Sequence, residues 1–216
     1  MIFFNRKWLS FLVIFMLLFL NTSLLFRIST LNKSHKEIQH SIKDFEINTR
    51  VYENIKMDAF QLNFETSHFN GNLCIDNVTI QDSLKKEIKI KELFGENRDR
   101  MIICRFSELH CQECVIYSIV KLIEFSEKIT KDNILFLGAY DDNRSFNIFR
   151  KQLGIHFMKA YNVLQLDIPI EDLGVPYFFI LDRSLKVSNV FVPEKLTPEL
   201  TNQYLEIINE RYFKLE

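Results

Sequence analysis

The N-terminal part of the chain is a long run of apolar residues. Residues 8–26 contain no charged side chain and are about as long as a helix that crosses a membrane. Arg6 and Lys7 precede the run, and Trp8 stands at its start, where an aromatic ring suits the interface between lipid and water. The pattern predicts a signal anchor or transmembrane helix over residues 1–27.

Two kinds of N-terminal segment fit this run. A cleaved signal peptide has a shorter apolar region that ends in small residues, whereas this run contains no alanine, which favours an uncleaved anchor. No cysteine follows directly, which argues against a lipid anchor. Arg27, Lys33 and Lys36 weaken the charge asymmetry across the segment, so its orientation depends mainly on the thiol chemistry described below.

The next segment, residues 28–70, is predicted to be a helical stalk or linker. Its apolar residues recur at spacings of three and four, without glycine or proline, over residues 28–57. These apolar positions are Ile28, Leu31, Ile38, Ile42, Phe45 and Tyr52. A stalk between membrane and domain is the simpler interpretation. A short dimerising coiled coil stays open, although His35 and Thr49 at seam positions weaken it.

Strand-like and helix-like patterns alternate over residues 71–216, after a turn at Asn70-Gly71-Asn72. The predicted strands are residues 73–80, 88–90, 101–106, 134–140, 177–181 and 187–192; the predicted helices are residues 114–130, 143–153 and a last one that opens at Thr197-Pro198. This order predicts an α/β domain with a mixed central sheet and helices on both faces.

Composition narrows the choice of partners. The chain has 216 residues, a net charge of −1 and 25% charged residues, so no attraction to nucleic acid is expected. The 21 phenylalanines against 5 glycines indicate a well-filled apolar core and a membrane segment. We expect one domain with an appendage, and neither a cofactor nor a metal.

The candidate chemistry is the pair Cys111 and Cys114, which stands between a predicted strand and a predicted helix. A thiolate in the first turn of a helix meets unpaired N–H groups and the positive end of the helix dipole, so its pKa falls. The second thiol is then close enough to attack a mixed disulfide on the first. The spacing therefore favours a redox dithiol.

Half of a zinc site and an inert pair are the alternatives for the same spacing. A zinc site needs further ligands at paired spacing, and the remaining cysteines, Cys74 and Cys104, are far apart in the sequence. Cys104 is expected to be a packed small hydrophobe, and a Cys74–Cys104 bridge stays open. Asp141 and Asp142 follow a strand and are expected to be turn and helix-cap residues.

A second motif, Gly174-Val175-Pro176, enters a predicted buried strand about sixty residues after the cysteines. Proline is allowed only at the start or edge of such a strand, and the bond before it can be cis. Together with the helix-opening CxxC and the following hairpin, this motif resembles the thioredoxin fold over about residues 73–212. The similarity is greatest to membrane-anchored, extracytoplasmic thiol-disulfide oxidoreductases of the TlpA/ResA type.

The resemblance implies a role for each matching residue. Cys111 would be the attacking thiol, Cys114 the resolving thiol, and Pro176 a cis-proline that faces the pair. The backbone at Val175 would pair with an extended substrate segment, as an added strand does.

The chain departs from that family beside the cysteines, where His110 and Glu113 replace the usual tryptophan and proline. Both are candidate modulators of the thiol pKa, since a protonated His110 favours a thiolate and the carboxylate of Glu113 disfavours it. The signature of a peroxiredoxin is missing, so a peroxidase is the weaker enzyme reading.

The functional expectation is a single-pass protein of the inner (cytoplasmic) membrane, with its C-terminal domain on the extracytoplasmic (periplasmic) side. It would be a thiol-disulfide oxidoreductase acting on extracytoplasmic protein thiols and disulfides, recharged by a membrane electron donor. The alternative is a redox-inactive thioredoxin-like binding module, or a copper- or zinc-handling protein in which His110 or His156 joins the cysteines.

Overall fold

The computed structural model describes residues 6–69, 73–96 and 98–214, without the side chains of residues 6, 7, 9 and 10. The chain divides into two compact units, Met1–Glu53 and Asn54–Glu216. This division falls earlier than the predicted edge of the domain at residue 71. The turn predicted at Asn70-Gly71-Asn72 lies outside the described residues.

The described residues of the first unit belong to helix α1, which runs over Arg6–Thr66. Its described side chains are exposed. By length and composition, the helix is able to cross a membrane near its N-terminal end. This agrees with the predicted membrane segment, and the helical prediction for residues 28–57 is confirmed.

The second unit contains the strands and the remaining helices. The strands are β1 (Leu73–Cys74), β2 (Thr79–Gln81), β3 (Glu87–Lys89), β4 (Arg100–Ser107), β5 (Ile134–Ala139), β6 (Lys159–Asn162), β7 (Tyr177–Asp182) and β8 (Lys186–Phe191). The helices are α2 (Gln112–Phe125), α3 (Asn143–Gln152) and α4 (Pro198–Ile208), followed by a π-helical turn over Asn209–Phe213. Short 3₁₀ helices cover Ser67–Phe69, Ile90–Phe94, Lys131–Asn133 and Pro169–Leu173.

The described strands form one mixed sheet in the order β1-β8-β7-β4-β5-β6-β2-β3. Strands β4, β5 and β6 are parallel, whereas β7 runs antiparallel to β4 and forms a hairpin with β8. A parallel β4-α2-β5 unit flanked by an antiparallel β7-β8 hairpin and a final helix is a thioredoxin-like arrangement, and it confirms the predicted fold class.

The core lies on both faces of the sheet because side chains alternate along its central strands. In β4, Ile102, Cys104 and Phe106 face a cluster that also contains side chains from α2, α3 and α4. Met101 and Ile103 face the opposite cluster, which is covered by the end of α1 and by 3₁₀ helices. The β4-α2-β5 and β5-α3-β6 units step in the same direction along the sheet, so crossovers of the same hand place α2 and α3 on one face.

Two parts of the sheet differ from the prediction. The predicted strand over residues 73–80 is split, because β1 pairs with β8 near one edge while β2 pairs with β3 and β6 near the other. Strand β6 and the 3₁₀ helix Pro169–Leu173 were not predicted. In β6, Lys159 and Asn162 interrupt the continuous apolar run that marks a buried strand.

Candidate functional site

The two candidate thiols lie at the start of α2, directly after the turn that follows β4. Cys111 is the N-cap of α2, and its carbonyl accepts the first helical hydrogen bond, from the backbone N–H of Val115 at 3.0 Å. Cys111 is exposed and Cys114, one turn into the helix, is partly buried. Cys111 is therefore open to the solvent, whereas Cys114 is partly covered by its surroundings.

The two thiols differ in acidity. The pKa of Cys111 lies below its ordinary value, chiefly because the Cys114 thiol donates a hydrogen bond to its sulfur, with help from backbone N–H groups of α2. The pKa of Cys114 is raised to about 11, first by burial and then by the same hydrogen bond. Cys111 is thus the thiol that ionises first, and Cys114 keeps its proton.

Lys195 also lies at this site, although the sequence did not predict it. Lys195, in the loop between β8 and α4, forms an ion pair with Glu113. This contact lowers the pKa of Glu113, and the positive charge of Lys195 also lowers the pKa of Cys111. Lys195 therefore offsets the unfavourable charge that Glu113 was expected to present to the thiolate. No local pattern could have revealed it, because only the fold brings this loop to α2.

His110 is half-buried and electrically neutral near pH 7. The backbone N–H of Ser107 donates to its Nδ1 at 3.2 Å, which leaves the proton of the neutral ring on Nε2. Burial lowers the pKa of His110, and the nearby Arg105 lowers it further. The imidazole therefore does not supply the positive charge that a protonated His110 would give the thiolate.

The Gly-Val-Pro motif lies at the same edge of the sheet as the thiols. Tyr177, which directly follows Pro176, pairs with Arg105 near the end of β4, and the two strands are antiparallel. The start of β7 and the end of β4 are therefore neighbours. Pro176 is buried and Val175 is half-buried.

The peptide bond between Val175 and Pro176 is trans, as is every described peptide bond. The expectation of a cis-proline is therefore wrong for this structure. The trans form is the lower-energy isomer of such a bond.

A cavity of about 640 Å³ opens beside His110, between the end of β4 and the loop before β7. Arg105, on its wall, is almost fully buried and donates to Glu171 (2.7 Å) and to the carbonyls of Val163 (2.7 Å) and Leu164 (2.8 Å). These hydrogen bonds hold the loop between β6 and β7 against the end of β4. The sequence contains a signal for this network, because Arg105 is a charged residue within an otherwise apolar strand and a buried charge requires partners.

The other two cysteines lie apart from the dithiol site. Cys104 faces the apolar core, and burial raises its pKa far above the ordinary value, as expected for a packed small hydrophobe. Cys74 is exposed on β1. Three strand spacings separate β1 from β4, roughly 14 Å, which is too far for a Cys74–Cys104 bridge.

Asp142 is the N-cap of α3 and accepts from the N–H groups of Arg144 (3.1 Å) and Ser145 (3.0 Å), as predicted. In the part of the chain that the structure describes, no three His, Cys, Asp or Glu side chains form a group able to hold a metal ion.

The chain has structural relatives among solved proteins. It is similar to the thioredoxin domain of a thiol-disulfide oxidoreductase from Bacteroides vulgatus, with 10% identity, a TM-score of 0.45, and 63% of this chain and 97% of that chain covered. It is also similar to a thiol:disulfide interchange protein of the thioredoxin family from Chlorobium tepidum TLS, with 17% identity, a TM-score of 0.42, and 61% and 95% covered.

A thiol:disulfide interchange protein from a Bacteroides species gives 11% identity and a TM-score of 0.45, with 63% of this chain and 90% of that chain covered. No family model and no curated protein matches the sequence. At these identities and TM-scores the activities of those proteins do not transfer to this chain. The thioredoxin-like fold follows from its own strand order and register.

Proposed function

We propose that this protein is a membrane-tethered thiol-disulfide oxidoreductase that acts on extracytoplasmic protein disulfides through Cys111 and Cys114. The observation that carries the proposal is the unequal pair at the start of α2. Cys111 is exposed with a lowered pKa, and Cys114 is partly buried with a raised pKa. An exposed nucleophile beside a protonated resolving thiol is what disulfide exchange requires.

The reaction consists of two thiol-disulfide exchange steps. The Cys111 thiolate attacks one sulfur of a substrate disulfide, forms a mixed disulfide and releases one substrate thiolate. Cys114 then passes its proton to the released thiolate and attacks the Cys111 sulfur, which leaves a Cys111–Cys114 disulfide and releases the second substrate thiolate, and water protonates that thiolate. Two electrons pass from the dithiol to the substrate, whose sulfurs end as thiols. A membrane electron donor, by class a dithiol, returns two electrons to the pair.

The substrate would lie along the backbone at Val175 as an extended segment, because this residue is at the thiol edge of the sheet. The apolar N-terminal part of α1 supports a single-pass anchor. An oxidisable dithiol favours a domain on the extracytoplasmic side.

Trapping of a mixed disulfide tests the proposal. The full chain with Cys114→Ser, incubated with an oxidised peptide, should form a covalent adduct at Cys111 that dithiothreitol releases. The control, Cys111→Ser with Cys114→Ser, should form only the adduct that the exposed Cys74 gives in both variants. Absence of an adduct at Cys111, together with no turnover of the peptide by the unaltered chain, would reject the oxidoreductase.

The same preparation distinguishes the alternative function from the oxidoreductase. A redox-inactive metal-handling protein would bind copper or zinc in a fixed ratio through Cys111 and Cys114 and would leave the peptide disulfide intact.

A further inference from the structure

We propose that the cavity beside the dithiol selects substrate segments with a lysine or arginine next to the disulfide cysteine. This inference rests on the proposed oxidoreductase function and names the class of its substrates. The cavity, about 640 Å³, is in the size range of sites that take a small ligand or a side chain. Its wall includes His110, the residue before Cys111, so it lies within reach of a bound segment.

The charges that line the cavity are mostly negative. Asp167, Glu171 and Asp172 line it, against the single guanidinium of Arg105. Arg105 is occupied by Glu171 and by two backbone carbonyls, so it does not compete for the other carboxylates. Among the described residues, no lysine, arginine or histidine forms an ion pair with Asp167 or Asp172. A cationic side chain would complete this set of charges.

A buried hydroxyl gives a second, independent sign of a ligand. Tyr177 lines the cavity and is 1% exposed, and its hydroxyl oxygen lies beside the Arg105 guanidinium without the geometry of a full hydrogen bond. Buried polar groups without a partner are rare in folded proteins and call for an explanation. An ammonium or guanidinium group that enters the cavity and shifts its wall slightly would donate to this oxygen.

The acidic wall is fixed in place. Glu171 accepts hydrogen bonds from Arg105 and, at 2.8 Å, from the backbone N–H of Leu166. The next residue, Asp167, has a φ of 54°, in the left-handed region that non-glycine residues rarely adopt. Such residues persist where the surrounding structure holds them, often beside ligand sites.

The apolar part of the wall suits the stem of a long basic side chain. Leu109 and Leu164 line the cavity and are 91% and 58% exposed. Lysine and arginine place their methylene groups against such surfaces while the charged end reaches a polar group. A segment that runs along Val175 directs alternate side chains to opposite sides, so a neighbour of its cysteine can point into the cavity.

Competition between matched peptides tests this inference. The full chain in detergent micelles is given three disulfide peptides that differ only next to the cysteine, with lysine, norleucine or glutamate. We expect kcat/KM to be roughly fivefold higher for the lysine peptide than for the norleucine peptide, as for a partly exposed ion pair, and lowest for glutamate. The preference should decline as salt is added.

Variants that lack the carboxylate charges test whether Asp167 and Asp172 cause the preference for the lysine peptide. Asp167→Asn combined with Asp172→Asn should bring the lysine-to-norleucine ratio close to one. The control, Asp141→Asn, removes an exposed carboxylate outside this cavity and should keep the ratio of the unaltered chain.

Equal rates for all three peptides, or a ratio that survives the double substitution, would overturn the selection while leaving the oxidoreductase intact. If the chain reduces no peptide at all, the proposed function itself fails, and the inference with it.

Discussion

Removal of one partner from the Arg105–Glu171 ion pair should destabilise the second unit more than removal of both. The Arg105 side chain is 4% exposed and that of Glu171 is 21% exposed, so the pair is largely shielded from water. Arg105 also satisfies the carbonyls of Val163 and Leu164. A single substitution leaves a charge without its counter-charge in this place, whereas the double substitution leaves none.

The size of the effect follows from the burial of the pair. Breaking a buried pair costs about 3–5 kcal/mol. We expect Glu171→Gln to lower the free energy of unfolding by about 3 kcal/mol, because Glu171 is partly exposed and glutamine still accepts from Arg105. Arg105→Met should lower it by about 4 kcal/mol. With Arg105→Met and Glu171→Leu together, the carbonyls of Val163 and Leu164 lose their donor and the N–H of Leu166 loses its acceptor, at a cost of about 2 kcal/mol. For a unit of this size, 3 kcal/mol lowers Tm by roughly 6–12 °C.

Urea unfolding of the full chain in micelles, followed by near-ultraviolet circular dichroism, measures these differences. Asp132→Asn is the matched control, since it removes an exposed ion pair with Lys159 and should cost under about 1 kcal/mol. The reasoning is refuted if Arg105→Met destabilises no more than this control, or if the double substitution costs more than either single one.

Three further predictions concern the thiols and the core. Lys195→Met removes the positive charge that lowers the pKa of Cys111, so the pH midpoint of Cys111 alkylation should move upward. Burial keeps Cys104 protonated and shielded, so native-state alkylation of Cys104 should be at least ~100-fold slower than that of Cys111 and should become fast in urea. Gly138→Ala places a methyl group 2.4 Å from the ring of Phe146 and should cost about 1–3 kcal/mol in urea unfolding.

A specific result would contradict each of these three predictions. Lys128→Met, which breaks an ion pair with Glu206, should leave the midpoint of Cys111 unchanged; an equal shift in both variants would contradict the local role of Lys195. Rapid native-state alkylation of Cys104 would show that its site opens readily. A loss under about 0.5 kcal/mol for Gly138→Ala would show that the Phe146 ring moves aside without strain.

The sequence predicts those parts of the fold that local pattern determines. Nearly continuous apolar runs mark β4, β5 and β7, and capping chemistry marks the start of α3 at Asp142. The position of Cys111 at the start of α2 was also predictable, because the change from an apolar strand pattern to a helix pattern lies directly around it. These features depend on residues close to one another in the chain.

Features that depend on distant residues were not predictable. The ion pair of Glu113 with Lys195 exists because the loop after β8 returns to the start of α2. The neutral state of His110 depends on burial and on the neighbouring Arg105. Strand β6 carries two polar residues, Lys159 and Asn162, and its place in the sheet depends on pairing with β5. Spacing along the chain contains none of this information.

The reduction potential of the Cys111/Cys114 pair tests the central claim most directly. The full chain is equilibrated with glutathione buffers of graded potential, quenched with acid, alkylated and weighed by mass spectrometry. The account predicts one two-electron transition to an intramolecular disulfide, between about −300 and −100 mV, the range of thiol-disulfide oxidoreductases. No intramolecular disulfide at any potential, or independent glutathione adducts on the two cysteines, would contradict it.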